Sequence, residues 1–485
     1  MANRQVLPPG PKGLPFLGNT LQFRHNQLGF LLQLEQSYGR MATIYIGKTP
    51  IVLLFRPEHI RYILTENPRN FTNREVAGGL IFGSMLVLSL LARSFTDKVT
   101  RGLHDIVGDG LLTTDGDFHH RHRRLLQPAF SRRRVENHAD MIVQYARETL
   151  ERWQPGAEID IAHDMQALIL RLTMKILVNI DMLNQNIESS KIIDDLLGHP
   201  IGIFEGLSNL QIDLPFTPYG QRMAAKRKAD AFIYNLIDQR RADKRDVGDI
   251  LSILLQPQET YDDDIMTRQQ VRDELASLIA AGHETTTNTI TWTFFLLSEH
   301  PTILKKVLAE LQAVLAGRDP QLDDLSQLTY LDWVVKESMR LYPSAWTQGR
   351  RAVEAFDLDG YHFPGGTMIM FSQWVLHRLP DIWANPEAFR PERWDPVNGQ
   401  KVPQWAYFPF GGGSRICIGM PFAQLQIRLV LATILQRYIP RVVPGHPVVP
   451  LPLVTLRLKH GLHVRLEPTT AVGLVEANPD AVVEA

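Results

Sequence analysis

Residues 408–421 read Phe-Pro-Phe-Gly-Gly-Gly-Ser-Arg-Ile-Cys-Ile-Gly-Met-Pro, and they contain Cys417, the one cysteine of a 485-residue chain. Three consecutive glycines let the backbone reach positive φ and turn its N–H groups inward. Pro421 suits the first turn of a helix, where its missing N–H would have had no partner. Phe422, Leu425 and Leu429 then recur at helical spacing. The stretch therefore reads as an irregular loop that presents a cysteine at a helix N-terminus, where backbone donors and the helix dipole favour the thiolate. A lone cysteine of unknown context is most simply a small buried hydrophobe. The loop is what argues for a metal ligand instead. A Gly-rich loop before a helix also cradles phosphate, but this one lacks the Gly-Lys-Ser/Thr ending and follows no clear parallel-strand pattern. Nothing nearby supports a Cys–His nucleophile.

Working outward, the composition is that of an ordinary globular chain, 44% hydrophobic and 21% charged. The net charge of −1 gives no global attraction to nucleic acid or anionic membranes. A single cysteine excludes disulfides within the chain and makes a reducing cytoplasm the expected location. The N-terminus lacks the apolar core of a signal peptide. The longest apolar stretch, Ala77–Ala92, falls short of the ~18 residues of a membrane span and carries glycines and serines. It is expected to line a pocket rather than to anchor the chain, with shallow membrane contact as the alternative.

Along the chain, helix-like patterns dominate: Gly29–Tyr38, Val135–Trp153, Met165–Val178, Ala225–Lys244, Thr267–Leu297, Pro301–Ala316, Leu331–Leu341 and Pro421–Tyr438. Strand-like runs cover Met41–Ile46, Ile51–Phe55, Gly360–Phe371 and Thr455–Leu466. The expected fold is mainly α with a small β portion. No linker divides it, so residues 1–485 are expected to form one large domain, with 1–20 an irregular Pro/Gly lead-in and 472–485 a loose tail.

Two further constellations stand out. Leu275–Ile290 is an apolar helix pattern that nonetheless carries Gly282, Glu284, Thr285, Thr286, Thr287 and Asn288 in its middle. Glycine costs ~1 kcal/mol against alanine there, and buried polar groups are expensive without partners. If the helix is central, some of this run faces inward for a reason. Separately, Arg121, Arg123, Arg124 and Arg132–Arg134 crowd a short region. The plain reading is a solvated face. The sharper one is a docking patch for an acidic electron donor.

Phe410, Gly413, Arg415, Cys417 and Gly419 stand at the spacing F-x-x-G-x-R-x-C-x-G, and on this motif the chain resembles the cytochrome P450 superfamily. The resemblance extends from the Pro8–Gly13 lead-in to His460–Val464. It implies the cytochrome P450 fold and a haem b whose iron is held by Cys417. Glu337 and Arg340 match the family's E-x-x-R, and Arg393 matches its P-E-R-W segment. These three are expected to form a buried network behind the haem. Ala281, Gly282, Glu284, Thr285 and Thr286 match A-G-x-[DE]-T-T: Gly282 would leave room for O2, Thr285 would orient a water or oxygen, and Glu284 would relay protons. Thr285 is further expected to bond the carbonyl one turn back and to open the helix locally. His119 and Arg123 match W-x-x-x-R, with His where many members have Trp. With Arg350 and Arg415 they are the expected propionate ligands, although Arg351 adjoins Arg350 and competes for its place. The pocket is expected to draw on Ala77–Phe95, Pro200–Pro218, Ile279–Ala281, Ser344–Gly349 and Leu453–Thr455, including Phe82, Leu86, Phe204, Trp346 and Leu453.

The implied reaction is monooxygenation: two electrons and O2 are consumed, and one oxygen atom enters a C–H bond of a hydrophobic small molecule such as a terpene or fatty acid. No flavin or iron–sulfur module follows the haem loop, so a ferredoxin or flavodoxin with its NAD(P)H reductase is expected as partner, and a monomer as the oligomeric state. A peroxygenase driven by hydrogen peroxide, or a haem sensor or carrier, are the alternatives. The Glu284–Thr285 pair argues against both, because proton delivery to dioxygen is what it serves.

Overall fold

The computed structural model describes residues 7–73, 102–182, 213–243, 245–256 and 266–469. Its long helices are α1 (Gln27–Tyr38), α2 (Gly116–Leu126), α3 (Ala139–Leu150), α4 (Ile161–Val178), α5 (Pro218–Asp243), α6 (Arg268–Glu299), α7 (Pro301–Leu315), α8 (Thr329–Leu341) and α9 (Met420–Leu435). The strands are short: β1 (Met41–Ile46), β2 (Thr49–Leu54), β3 (Phe71–Thr72), β4 (Glu158–Asp160), β5 (Gln348–Ala352), β6 (Phe356–Leu358), β7 (Tyr361–Phe363), β8 (Met368–Phe371), β9 (Tyr438–Val442), β10 (Pro450–Pro452), β11 (Leu456–Leu458) and β12 (His463–Pro468).

Local chemistry explains where the main helices begin and end. Thr267 and Gln270 form a reciprocal capping box at the start of α6: the Thr267 hydroxyl accepts from the Gln270 N–H at 3.2 Å, and the Gln270 side chain accepts from the Thr267 N–H at 2.7 Å. Asp160 caps α4 by accepting from Ala162 N–H, and Asn179 ends it at φ 57°. One expected helix is divided. Val135–Trp153 is a short helix at Arg132–Glu136 and then α3, parted at Asn137 and His138. The His138 N–H turns back to the Val135 carbonyl at 3.0 Å, while the His138 carbonyl starts the next helix by accepting from Ile142.

Helix α6 runs through the middle of the molecule, packed on α4, α8, α9 and β9. Its threonine-rich centre is buried, not on a solvent face: Thr286, Thr287, Asn288, Thr289, Thr291 and Thr293 are all nearly inaccessible. Burial is tolerated because the hydroxyls of Thr287, Thr289, Thr291 and Thr293 each donate to the carbonyl four residues back, at 2.7–3.0 Å. A large apolar cluster joins α3, α4, α6, α7, α8 and α9. A second lies under the sheet β1-β2-β8-β5-β3, in which β2 and β8 are parallel and the other pairs antiparallel. β4, β12 and β9 form a small antiparallel sheet, bringing residues 158–160 beside the C-terminal strands. The β portion is thus drawn from both ends and from residues 348–371.

Candidate active site

A cavity of about 480 Å³ lies between α6 and the loop before α9. That volume falls within the range of small-molecule sites, roughly 300–1,000 Å³. Cys417 opens on it from one side, and Ala281, Gly282 and Thr285 from another.

The cysteine loop shows why three glycines are needed. Gly411 and Gly413 adopt φ of +70° and +65°, which L side chains rarely reach. A Cβ on Gly413 would also strike the Leu64 carbonyl. Gly412 is extended, and its need is proximity: a Cβ would strike the Trp405 ring. The loop closes where the Cys417 N–H donates to the Phe410 carbonyl at 2.9 Å. The N–H groups of Gly419 and Met420 and the charge of Arg123 all favour the Cys417 thiolate. Burial opposes them, however, and leaves the thiol above its ordinary value.

The basic groups converge beside it. His119, on α2, is 3% exposed and lines the cavity. Desolvation, aided by Arg415 and Arg123, drives its imidazole down to about 3, so it is a neutral donor or acceptor. Arg123 lies one helical turn on and also faces the cavity. Arg350 is 5% exposed, donates to Asn73 Oδ1 at 3.2 Å and is pushed down to about 10 by burial. Its neighbour Arg351 points the other way, towards Gly366, as alternation along β5 requires. Arg415 bonds the Thr114 carbonyl and the Asp115 carboxylate. Three guanidinium groups thus face one cavity, and among the described residues Asp115 is the carboxylate set against them. This surplus of buried positive charge fits a dianionic group, as the two propionates of a haem provide.

Behind the loop, Glu337 is fully buried and saturated. Its carboxylate accepts from Arg340 Nε and Nη2 at 3.0 and 2.9 Å, from Arg393 Nε at 3.0 Å, from Trp394 Nε1 at 3.0 Å and from the Arg390 N–H at 3.1 Å. Arg340 spends its remaining donors on the carbonyls of His377, Pro386 and Ala388. Sequence reasoning missed His377. Its ring Nε2 accepts from the Phe408 N–H at 3.1 Å and so ties the network to the cysteine loop. The signal was slight: a histidine after the apolar residues Trp374–Leu376, with no motif around it.

On α6, the Thr285 hydroxyl donates to the Ala281 carbonyl at 2.8 Å. α6 nevertheless continues unbroken through this bond, so the expected local opening is not observed. The neighbouring carbonyls are held by α6's own ladder and by Ser344, whose hydroxyl donates to the Thr285 carbonyl at 2.9 Å. A Cβ on Gly282 would meet Thr173 only at ordinary contact distances, 3.8 and 3.9 Å. Packing therefore does not demand this glycine, and the room it leaves belongs to the cavity. Glu284 does not line the cavity. It stands beside Thr285 and faces Arg457 at 3.5 Å.

Of the expected pocket segments, Ala281, Ser344, Ala345, Thr347, Gln348, Gly349, Leu453 and Val454 line the cavity, and residues 213–217 do not. Trp346 does not. It is fully buried in the cluster under the large sheet and donates from Nε1 to the Leu453 carbonyl at 2.8 Å, because its neighbours on either side take the cavity-facing positions. Ile279 likewise packs into the core, while Leu278 lines the wall. Ala77–Phe95, with Phe82 and Leu86, and Phe204 lie outside the described residues. Leu111, Leu112, Ile176 and Leu177 are apolar lining residues that carry no motif and were not anticipated.

The family model for Cytochrome P450 matches residues 8–81 and 89–459. The chain belongs to the cytochrome P450 family. It is a monooxygenase that works with a haem cofactor, redox partners and a hydrophobic substrate. Among its relatives is cyclooctatin synthase of Streptomyces melanosporofaciens, 32% identical over 93% of this chain and 94% of that protein. Cyclooctat-9-en-7-ol 5-monooxygenase of the same organism is 31% identical, covering 90% of each. Pentalenene oxygenase of Streptomyces avermitilis is 31% identical over 95% of this chain and 97% of that one. The solved structure of retinoic acid bound cyanobacterial CYP120A1 superposes with a TM-score of 0.81 at 24% identity, covering 96% of this chain and all of that one, which shows the shared fold. Among the described residues, no helix is long and apolar enough to cross a membrane.

Proposed function

We propose that this chain hydroxylates a terpene-type hydrocarbon skeleton, using haem b bound through the Cys417 sulfur. The observation that carries the reading is one cavity lined together by Cys417, by Arg123, Arg350 and Arg415, and by Gly282 with Thr285. When bound, the haem supplies the oxidising chemistry, and a thiolate ligand pushes electron density toward O–O cleavage.

The chain's own residues do the rest. Cys417 binds the iron. Arg123, Arg350, Arg415 and His119 hold the propionates, His119 as a neutral hydrogen-bonding group. Phe410 closes the loop over the cysteine. Gly282 leaves space for O2. Thr285 places a hydroxyl at the cavity wall, and Glu284 beside it passes protons inward from the solvent side. The substrate wall is built from Leu111, Leu112, Ile176, Leu177, Leu278 and Leu453. This apolar wall suits a hydrocarbon skeleton. The relatives named for terpenoid chemistry support the same choice.

Electrons come from a ferredoxin or flavodoxin with its NAD(P)H reductase. The partner meets the face formed by residues 132–136, a helix packed on α9, where Arg132, Arg133 and Arg134 are exposed. The chain acts as a cytoplasmic monomer. The test has two parts. Cys417→His must abolish the thiolate-type spectrum of the reduced carbon monoxide complex. A panel of sesquiterpene and diterpene hydrocarbons, alcohols and fatty acids, followed by the iron spin state, must then favour the terpenes, with product formed from reductase and O2. A spectrum that survives the substitution overturns the ligand assignment. Product from peroxide alone at an equal rate overturns the O2 route, and preference for fatty acids overturns the substrate class.

A further inference from the structure

Three side chains on one face of α6, four residues apart, meet three consecutive residues of the β10–β11 hairpin. Asn288 Nδ2 donates to Thr455 Oγ1 at 3.1 Å. Trp292 Nε1 donates to the Leu456 carbonyl at 3.1 Å. Glu284 faces Arg457 Nη1 at 3.5 Å. The first two contacts are buried hydrogen bonds of ordinary length. The third is long for a charge-assisted bond, and its side chains are about a quarter exposed, 29% for Glu284 and 24% for Arg457. An ion pair of this kind is weak and shifts at little cost. The hairpin is therefore fixed to α6 at two points and loose at the third, and the loose one holds the carboxylate next to Thr285.

The same hairpin carries Leu453 and Val454 into the cavity at the turn between its strands, where the Leu453 carbonyl also accepts from Trp346. Leu451 pairs with Arg457 across the ladder, so a displacement of the turn reaches Arg457 through one antiparallel pair. We propose that Arg457 is the positioning residue for Glu284, and that a substrate filling the cavity against Leu453 and Val454 sets, through this hairpin, where the Glu284 carboxylate lies relative to Thr285. Proton delivery is thereby matched to occupancy. The inference rests on the function proposed above. The proton that Glu284 passes on comes from bulk water. Arg457 transfers no proton itself. It acts through Glu284.

The test uses the haem-loaded full chain as wild type, R457K, R457Q, E284Q and E284Q/R457Q, with geranylgeraniol as the probe ligand. The first readout is product and peroxide formed per electron pair, with oxygen consumption compared in H2O and D2O. R457Q is expected to lower the product share several-fold, to raise peroxide and to enlarge the solvent isotope effect. R457K is expected to retain more than half of the wild-type share, and R457Q is expected to have no effect in the E284Q background. The second readout needs no turnover: hydrogen exchange of residues 450–458 with and without geranylgeraniol, beside its dissociation constant from the spin-state change. The ligand is expected to slow exchange at 455–458 in wild type, R457Q and E284Q to raise it by similar, non-additive amounts, and affinity to stay within about twofold. Additive losses in the double variant, or weakened binding with an unchanged product share, overturn the proposal and leave Arg457 as hairpin support only. A wild type that forms no product refutes the function proposed above instead. The inference is then decided by exchange, where equal rates in wild type and R457Q overturn it and non-additive increases uphold it.

Discussion

His377 Nε2 accepts the Phe408 N–H at 3.1 Å, while its backbone carbonyl accepts Arg340 Nη1 at 2.8 Å. One residue thus links the buried Glu337–Arg340–Arg393 network to the first residue of the cysteine loop. Replacing His377 by Phe leaves a buried N–H without an acceptor, at about 1–3 kcal/mol. The expected result is a lower melting temperature and faster loss of haem to an apomyoglobin trap, with the thiolate-type spectrum intact while haem remains. Haem loss at the wild-type rate would show that the loop does not depend on this bond.

Glu337 is a fully buried carboxylate whose charge balances two buried guanidinium groups. Removing one partner from such a set is costly, about 3–5 kcal/mol, because it strands the others. Glu337→Gln is expected to express with little or no haem. Arg393→Lys keeps the charge but loses fork geometry, and is expected to show an intermediate haem content. Full haem occupancy in Glu337→Gln, measured by the pyridine haemochrome, contradicts this account.

Gly282 offers a cleaner separation of fold from function. A Cβ there meets only Thr173 at contact distance, and alanine is favoured over glycine in a helix by ~1 kcal/mol. Gly282→Ala should therefore melt no lower than wild type. It should also bind carbon monoxide to the reduced haem several-fold more weakly, because the methyl occupies the space beside Ala281 and Thr285. Flash photolysis gives the second quantity and calorimetry the first. Unchanged carbon monoxide affinity would sink the spatial argument.

Two buried histidines away from the cavity make the fold sensitive to acid. Burial lowers His377 to about 3 and His283 to about 4, against about 6.5 in the unfolded chain. Below pH 6.5 the unfolded state binds a proton that the folded state refuses, so stability falls as pH falls. The window runs from 6.5 down to the folded values, at up to about 1.4 kcal/mol per pH unit for each ring. Urea unfolding between pH 7 and 4.5 should show this slope. His283→Gln should reduce it by one proton's worth, and an unchanged slope rules out His283 as a contributor.

Arg132, Arg133 and Arg134 are exposed on a short helix packed against α9, the helix that follows Cys417. Arg132 is 88% exposed even while paired with Glu136. If this face receives an acidic electron donor, reversing the three charges should slow reduction by a ferredoxin at least tenfold at low salt and flatten its salt dependence. Stopped-flow reduction at several ionic strengths measures both. An unaltered salt slope would assign the arginines to a merely solvated face.

The sequence alone determined whatever depends on neighbours within a few residues. Tight spacing in residues 408–421 announced a loop and a helix start, and apolar periodicity over Thr267–Leu297 announced α6, because face periodicity is local physics. The Glu337–Arg340 pair was legible for the same reason, being one helical turn apart. Tertiary structure decided the rest. Arg350 rather than Arg351 faces the cavity because of where the strand's alternation falls. Trp346 became core and its neighbours wall. The cavity onto which Cys417 opens is assembled from segments as far apart as Asn73 and Val454. The joining of His377 to Phe408 and of Glu284 to Arg457 spans 31 and 173 residues, and no local pattern records a partner that far along the chain.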